Sequence, residues 1–448
     1  MDTEVLLEKC SDYDSEEIAR IVRHWTPLFV DAICPGQSVV LKPNWLSQSH
    51  KHNSEEWQSV ITHPAIITAV LKIVLECLDG KGEVIITDGP QTDASWQGIM
   101  ARMTPELWKE MGRRTGVRVC VLDLRDDEWV TRGDVNVLRR KLSGDPRGST
   151  ECDLGHASEF CSHRRSQRGY YGADYDIAET NQVHFNGLHK YRVSRTVIEA
   201  DVFINLPKMK THKKAGITCS LKNLVGINTY KNWLPHHSEG TPDEGGDQFP
   251  MTSLKNKSET VLLEYFKSYL FRHQRMGKWL IPVKSLGKVV FGQTQEVIRS
   301  GNWYGNQTIW RMILDLNKIL LYANPDGTLR ENAPGSRKRY ISVVDGILAG
   351  EGNGPEAPNP KKTGVLIAGS NAVAVDAVCA RVMGFDWQKI PSIDNAFRIR
   401  EFPLCDFQYT DIRVISQQSD LCGVLDDLQL SGLVPFTPHF GWTGHVEL

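Results

Sequence analysis

The residues best suited to chemistry gather in one stretch, 205–226, which reads N-L-P-K-M-K-T-H-K-K-A-G-I-T-C-S-L-K-N-L-V-G. Lys208, Lys210, Lys213, Lys214 and Lys222 place five cations within fifteen residues, around His212. Such a local excess suits a phosphate, a carboxylate or an acidic sugar. A lysine in a partly dry cleft becomes less basic and can act as a base or a covalent anchor. His212 is the natural proton carrier near pH 7. Ala215-Gly216 lets the backbone turn closely past a ligand before Ser220-Leu221-Lys222-Asn223. A charge run is usually a solvated loop. Here the apolar neighbours Phe203, Ile204, Leu206, Ile217, Leu221, Leu224 and Val225 argue for burial. The stretch therefore reads as a cleft-lining anion site, with His212 as a candidate proton carrier or metal ligand and its lysines as candidate bases or anchors.

Other polar groups stand where short apolar runs end: Lys42-Pro43-Asn44, Asp88, Asn205 and Asp345. In open α/β sheets the carboxyl ends of strands form the crevice that holds ligands, although Asn, Asp and Gly are also plain turn formers. Lys42, Asn44, Asn205, Lys208, Lys210 and Asn223 are the expected substrate contacts. Asp345, Glu351, Asn353 and Asp376 make a second, acidic and amide cluster. Its hard oxygens would suit a divalent ion such as magnesium or manganese, and E-G-N-G-P within it also reads as a tight turn. The metal candidates are Asp88, Asp345, Glu351 and the tandem His236 and His237. Ten scattered cysteines include no C-x-x-C pair, so no iron–sulfur cluster is expected and the thiols read as reduced.

Elements that could position these groups follow from the apolar pattern. Residues 38–41, 82–87, 117–122, 201–205, 341–344 and 364–368 read as strands. Pro64 opens an amphipathic helix, and 371–383 is a second helix rich in Ala and Val. Strands alternating with helices predict an α/β fold with a mostly parallel sheet, crossover helices and large insertions. The expected division is an α/β part over 1–235, with an irregular insertion near 133–172. A loop and helical lid-like insertion follow over 236–330, and 331–448 completes the fold. The aromatic–basic stretch 259–292 reads as a lid, with peripheral membrane contact as the secondary reading.

At 448 residues, 40% hydrophobic and 24% charged, the chain has the composition of a globular protein. A net charge of −2 gives no general attraction to nucleic acid. The N-terminus lacks the basic and apolar run of a signal peptide, and no stretch approaches ~18 uninterrupted apolar residues. A cytoplasmic protein is expected. Nothing in the residues specifies an oligomeric state.

K-P-N-W, T-H-P, T-D-G-P, the central stretch, V-D-G-I and E-G-N-G-P…A-V-D-A-V together resemble the domain-of-unknown-function 362 family. The stretch K-T-H-K-K-A-G-I-T-C-S-L-K is also similar to a motif of nickel-pincer lactate racemases. That likeness implies a cofactor-anchoring role for Lys222 and proton transfer by His212, although Cys219-Ser220 replaces the racemases' Gly-Gly. The expected function is an enzyme acting on an anionic, hydroxylated small molecule by metal- or cofactor-assisted oxidoreduction or epimerisation. A metal-dependent phosphoryl-transfer or hydrolytic enzyme and a non-catalytic binding or assembly protein are the alternatives.

Overall fold

The computed structural model describes residues 2–132, 135–163, 166–167, 169–174, 176–251, 297–333, 335–428, 430 and 432–448. Five strands run parallel in the order Arg339–Glu351, Val202–Leu206, Ser38–Pro43, Glu83–Asp88 and Arg118–Asp123. Beyond Arg339–Glu351 the sheet continues through Asn359–Gly369 and the N-terminal strand Glu4–Lys9, which pair antiparallel. Arg413–Ile415 and Gly423–Val424 close that edge. The fold is thus α/β with a large, mostly parallel sheet.

Strand residues alternate between two cores, as a period of two requires. Val39, Leu41, Val84, Ile86, Val202 and Ile204 face the helices Ser15–His24 and Pro64–Leu78. Val40, Ile85, Phe203, Val344 and Ile367 face the opposite layer, with helices Ile309–Tyr322 and Ala372–Val382. Pro64–Leu78 starts with proline at its first position and with His63 Nδ1 accepting the N–H of Ala65, so its free amides are partly satisfied. The run Ser54–Leu78 is, among the described residues, the one helical stretch long and apolar enough to cross a bilayer. Within it, 61% of the most apolar window is buried inside the fold.

Some expected elements differ. The late strand is Arg339–Glu351 and not 341–344, so Glu351 ends a long strand instead of opening a turn. The insertion near 133–172 is more regular than its weak periodicity suggests. Ser149–Asp153 pairs with Lys190–Ser194, and Tyr170–Gly172 pairs with Pro235–Ser238, where a polar loop was expected to begin. The lid expected over 259–292 lies outside the described residues.

Candidate functional site

The central strand Ser38–Pro43 feeds Glu83–Asp88 on one side, and the chain later returns as Val202–Leu206 on its other side. The strand order reverses at that boundary, where a crevice opens beyond the carboxyl ends of the strands. A cleft of about 360 Å³ occupies this place. Lys42, Asp88, Lys210, His212, Lys222 and His236 are among its walls.

Its floor is a buried ion pair, Lys42 Nζ to Asp88 Oδ1 at 2.7 Å. Burial lowers the lysine's affinity for its proton and Asp88 partly restores it. Asp88 also accepts the N–H of Trp45 and of Gly89. Gly226 lies against this pair: a Cβ there would fall 1.8 Å from Asp88 Oδ1 and 2.7 Å from Lys42 Nζ. Only glycine leaves room.

The lysine-rich stretch is not one loop. Lys208–His212 and Gly216–Thr218 form a hairpin beside Arg339–Glu351, followed by the short helix Ser220–Asn223, which carries Lys222. Gly216 turns the hairpin with φ +79°, against the ring of Trp442. The helix is gripped through its backbone. Asp376 accepts the N–H of Ser220 (2.6 Å) and of Leu221 (2.9 Å). Asn205 Nδ2 donates to the Ser220 carbonyl and Asn317 Nδ2 to the Leu221 carbonyl.

An amide relay ties the elements together. Lys210 Nζ donates to Asn44 Oδ1, Asn44 Nδ2 to Asn223 Oδ1, and Asn223 Nδ2 to Asn205 Oδ1. Lys210 also donates to the Val60 carbonyl. Burial and the neighbouring Lys208 and Lys222 push its pKa well down.

Two histidines present opposite faces. His212 Nδ1 accepts the N–H of Lys214 (3.1 Å) and Ala215 (3.0 Å), which leaves the ring proton on Nε2. His236 Nδ1 donates to the Leu234 carbonyl at 2.9 Å, which leaves Nε2 with a bare lone pair. Burial first, then nearby lysines including Lys222, drive both pKa values well below 6.5. One ring is a hydrogen-bond donor and the other an acceptor throughout the neutral range.

Lys222 stands apart. Its Nζ has no hydrogen bond or ion pair among the described residues, and it lines the cleft. Burial, then Lys231 and Lys42, lower its pKa to about 7. The hydroxyl of Thr218, also in the cleft wall, is buried and without a partner among the described residues.

The expected substrate contacts divide. Lys42 and Lys210 reach the cleft but are already bonded, while Asn44, Asn205 and Asn223 bond to one another. Lys208 is elsewhere, in a buried cluster with Asp345 (2.6 Å) and the Tyr13 hydroxyl (2.8 Å). The metal candidates are dispersed. Asp88 pairs with Lys42, and Asp345 with Lys208, Tyr13 and the N–H of His63. Glu351 pairs with Lys361 and the N–H of Thr437. His237 stacks on Tyr171 and meets Lys214 Nζ. Among the described residues, no three His, Cys, Asp or Glu side chains lie together as ligands, so the expected metal set does not fit that role.

Lys231 and Glu356 were not expected in the site. Lys231 Nζ donates to the carbonyls of Val225 and Asn228, with its pKa lowered to about 8 chiefly by burial. Glu356 pairs with Lys213 and Lys51, and Lys213 foremost holds its carboxyl far below the ordinary range. A charged residue inside the apolar–aromatic run around Lys231 was a usable signal. Glu356, just after a turn-like E-G-N-G-P, gave none.

The family described as domain of unknown function (DUF362) matches residues 39–141 and 168–381. A thylakoid-associated protein of Synechocystis sp. is 24% identical over 214 residues, 48% of this chain and 41% of the relative. The chain thus spans less than half the length of that relative. Two solved structures are similar. One is a Thermotoga maritima protein, with 9% identity, a TM-score of 0.32, and coverage of 79% of this chain and 54% of the other. The second is the lactate racemase apoprotein from Thermoanaerobacterium thermosaccharolyticum. It shows 11% identity, a TM-score of 0.34, and coverage of 84% and 57%.

Proposed function

This chain belongs to the DUF362 family, and from that premise we propose that it is an enzyme acting on a small, anionic, hydroxylated molecule, such as a sugar acid or sugar phosphate. The favoured reaction is epimerisation or a related isomerisation at the hydroxyl-bearing carbon. One observation carries the reading: Lys222 presents an amine without a partner among the described residues, poised to exchange a proton near neutral pH, in a cleft walled by further lysines. Those lysines attract the anion. Nε2–H of His212 would polarise a substrate oxygen, and the bare Nε2 of His236 would accept a proton or a hydroxyl hydrogen. Holding and moving a proton at that carbon is what Lys222, His212 and His236 would supply. We place the enzyme in the cytoplasm, where its ten free cysteines would stay reduced.

The test is solvent exchange. The full chain is incubated in D2O with a panel of sugar acids and sugar phosphates and followed by proton NMR. Deuterium is expected at one C–H next to a hydroxyl, for the wild type and not for Lys222→Ala. No exchange and no anion-induced thermal shift with any member would overturn the reading.

A further inference from the structure

The helix Ser220–Asn223 is fixed at its root and open at its tip. All four backbone polar groups of Ser220 and Leu221 are engaged, by Asp376, Asn205 and Asn317. Among the described residues the adjoining Lys222 side chain, in the cleft wall, has no hydrogen bond or ion pair. A lysine whose task is to bind an anion is best left fully charged. This one is surrounded by Lys231, Lys42 and Lys213, which favour the free amine, and Asp88 opposes them only in part. A desolvated amine beside other cations is an activated nucleophile.

We infer that Lys222 forms an imine with a carbonyl of the substrate. The substrates would then be open-chain hydroxy-aldehydes or hydroxy-ketones that carry an anionic group. The inference rests on the proposed function and adds a covalent step to it. Lys222 nitrogen adds to the carbonyl carbon, so a C–N bond forms and the C=O π pair moves to oxygen. The proton lost from nitrogen goes to that oxygen. A second proton, from the Lys231 ammonium, lets the oxygen depart as water with its C–O bond pair, leaving a protonated imine. Nε2–H of His212 hydrogen-bonds the oxygen during addition. The protonated imine acidifies the neighbouring hydroxyl-bearing C–H, from which Nε2 of His236 removes the proton. The electrons rest as an enamine until the proton returns on either face. Water then reverses the first sequence and restores Lys222 and Lys231. No electron acceptor is consumed. The unpartnered Thr218 hydroxyl is placed to hold the substrate hydroxyl.

The experiment treats the full chain with glyceraldehyde 3-phosphate and sodium cyanoborohydride, followed by peptide mass mapping. Glycerol 3-phosphate, which has the anion and no carbonyl, serves as competitor. A reductant-dependent adduct at Lys222 is expected, at least about ten-fold above any other lysine. Glycerol 3-phosphate should suppress it, and Lys222→Arg should lose it. Since Lys222→Arg could misfold, its thermal melt is recorded, and Lys231→Gln is labelled in parallel with a slower rate expected. Labelling spread evenly over surface lysines, or unchanged in folded Lys222→Arg, overturns the inference. If deuterium exchange depends on Lys222 yet no adduct forms, the imine is wrong and the proposed function stands. If glycerol 3-phosphate neither competes nor shifts the melt and no exchange occurs, both fall.

Discussion

Lys208 and Lys222 come from the same lysine-rich stretch and do opposite work. Lys208 is fully buried and bonded to Asp345, to Tyr13 and to the Leu348 carbonyl. Tyr13 in turn stacks on His63, at 3.8 Å between ring centroids. The Lys208 ammonium, the Asp345 carboxylate and the Tyr13 hydroxyl are all engaged, so they can hold the hairpin to the sheet but are not open to a ligand. Lys222 has a backbone held on both sides and an amine that is idle among the described residues. A cation becomes reactive through what its surroundings withhold from it, and residue type alone does not distinguish the two.

The comparison can be broken by truncating each side chain in turn. Lys222→Ala is expected to reduce turnover by about 10³-fold, with little change in the denaturant midpoint. A loss below ten-fold in an exchange assay would remove Lys222 from the chemistry. Asp345→Ala should do the reverse. It strands the Lys208 ammonium and is expected to cost about 3–5 kcal/mol in urea unfolding, whereas Lys208→Met with Asp345→Leu should recover most of that.

Asp376→Asn tests whether the root of the lysine helix matters. An amide has one oxygen for the two N–H groups that the carboxylate now accepts, and its own N–H would oppose the other. A cost of about 1–3 kcal/mol is expected, with a smaller fall in kcat than for Lys222→Ala and a displaced pH profile. An unchanged profile would make Asp376 purely structural.

The smallest effect is one of pH. Lys222 has an ordinary value of 10.5 and a folded value of about 7. Between those values the unfolded chain keeps a proton that the folded chain has released. Wild-type stability should therefore rise with pH across that window relative to Lys222→Met. Parallel curves for the two proteins would show that the amine is not depressed.

Much of the frame was legible in the sequence because it is written in apolar runs. Ser38–Pro43, Glu83–Asp88, Val202–Leu206 and Pro64–Leu78 all lie where such runs predict them. The hairpin Lys208–His212/Gly216–Thr218 resembles a loop in sequence because its buried residues include two lysines and a histidine, which break the apolar alternation. The split between Lys208 and Lys222 was also invisible. It depends on Asp345, 137 residues away, and one-dimensional spacing carries no record of such a pairing. The expected metal set failed for the same reason: each acid was claimed by a distant cation or amide.

The relay from Lys210 through Asn44, Asn223 and Asn205 has a direction. Each amide must offer its oxygen towards Lys210 and its nitrogen away from it, because the lysine donates at the start and a carbonyl accepts at the end. The series behaves like a line of type in which every letter faces the same way. Replacing one Asn by Asp sets oxygen against oxygen at the next link, and no local adjustment repairs it. Drift at these positions would therefore have to occur in matched pairs. Their co-variation across relatives would be a written trace of the relay, detectable without any assay.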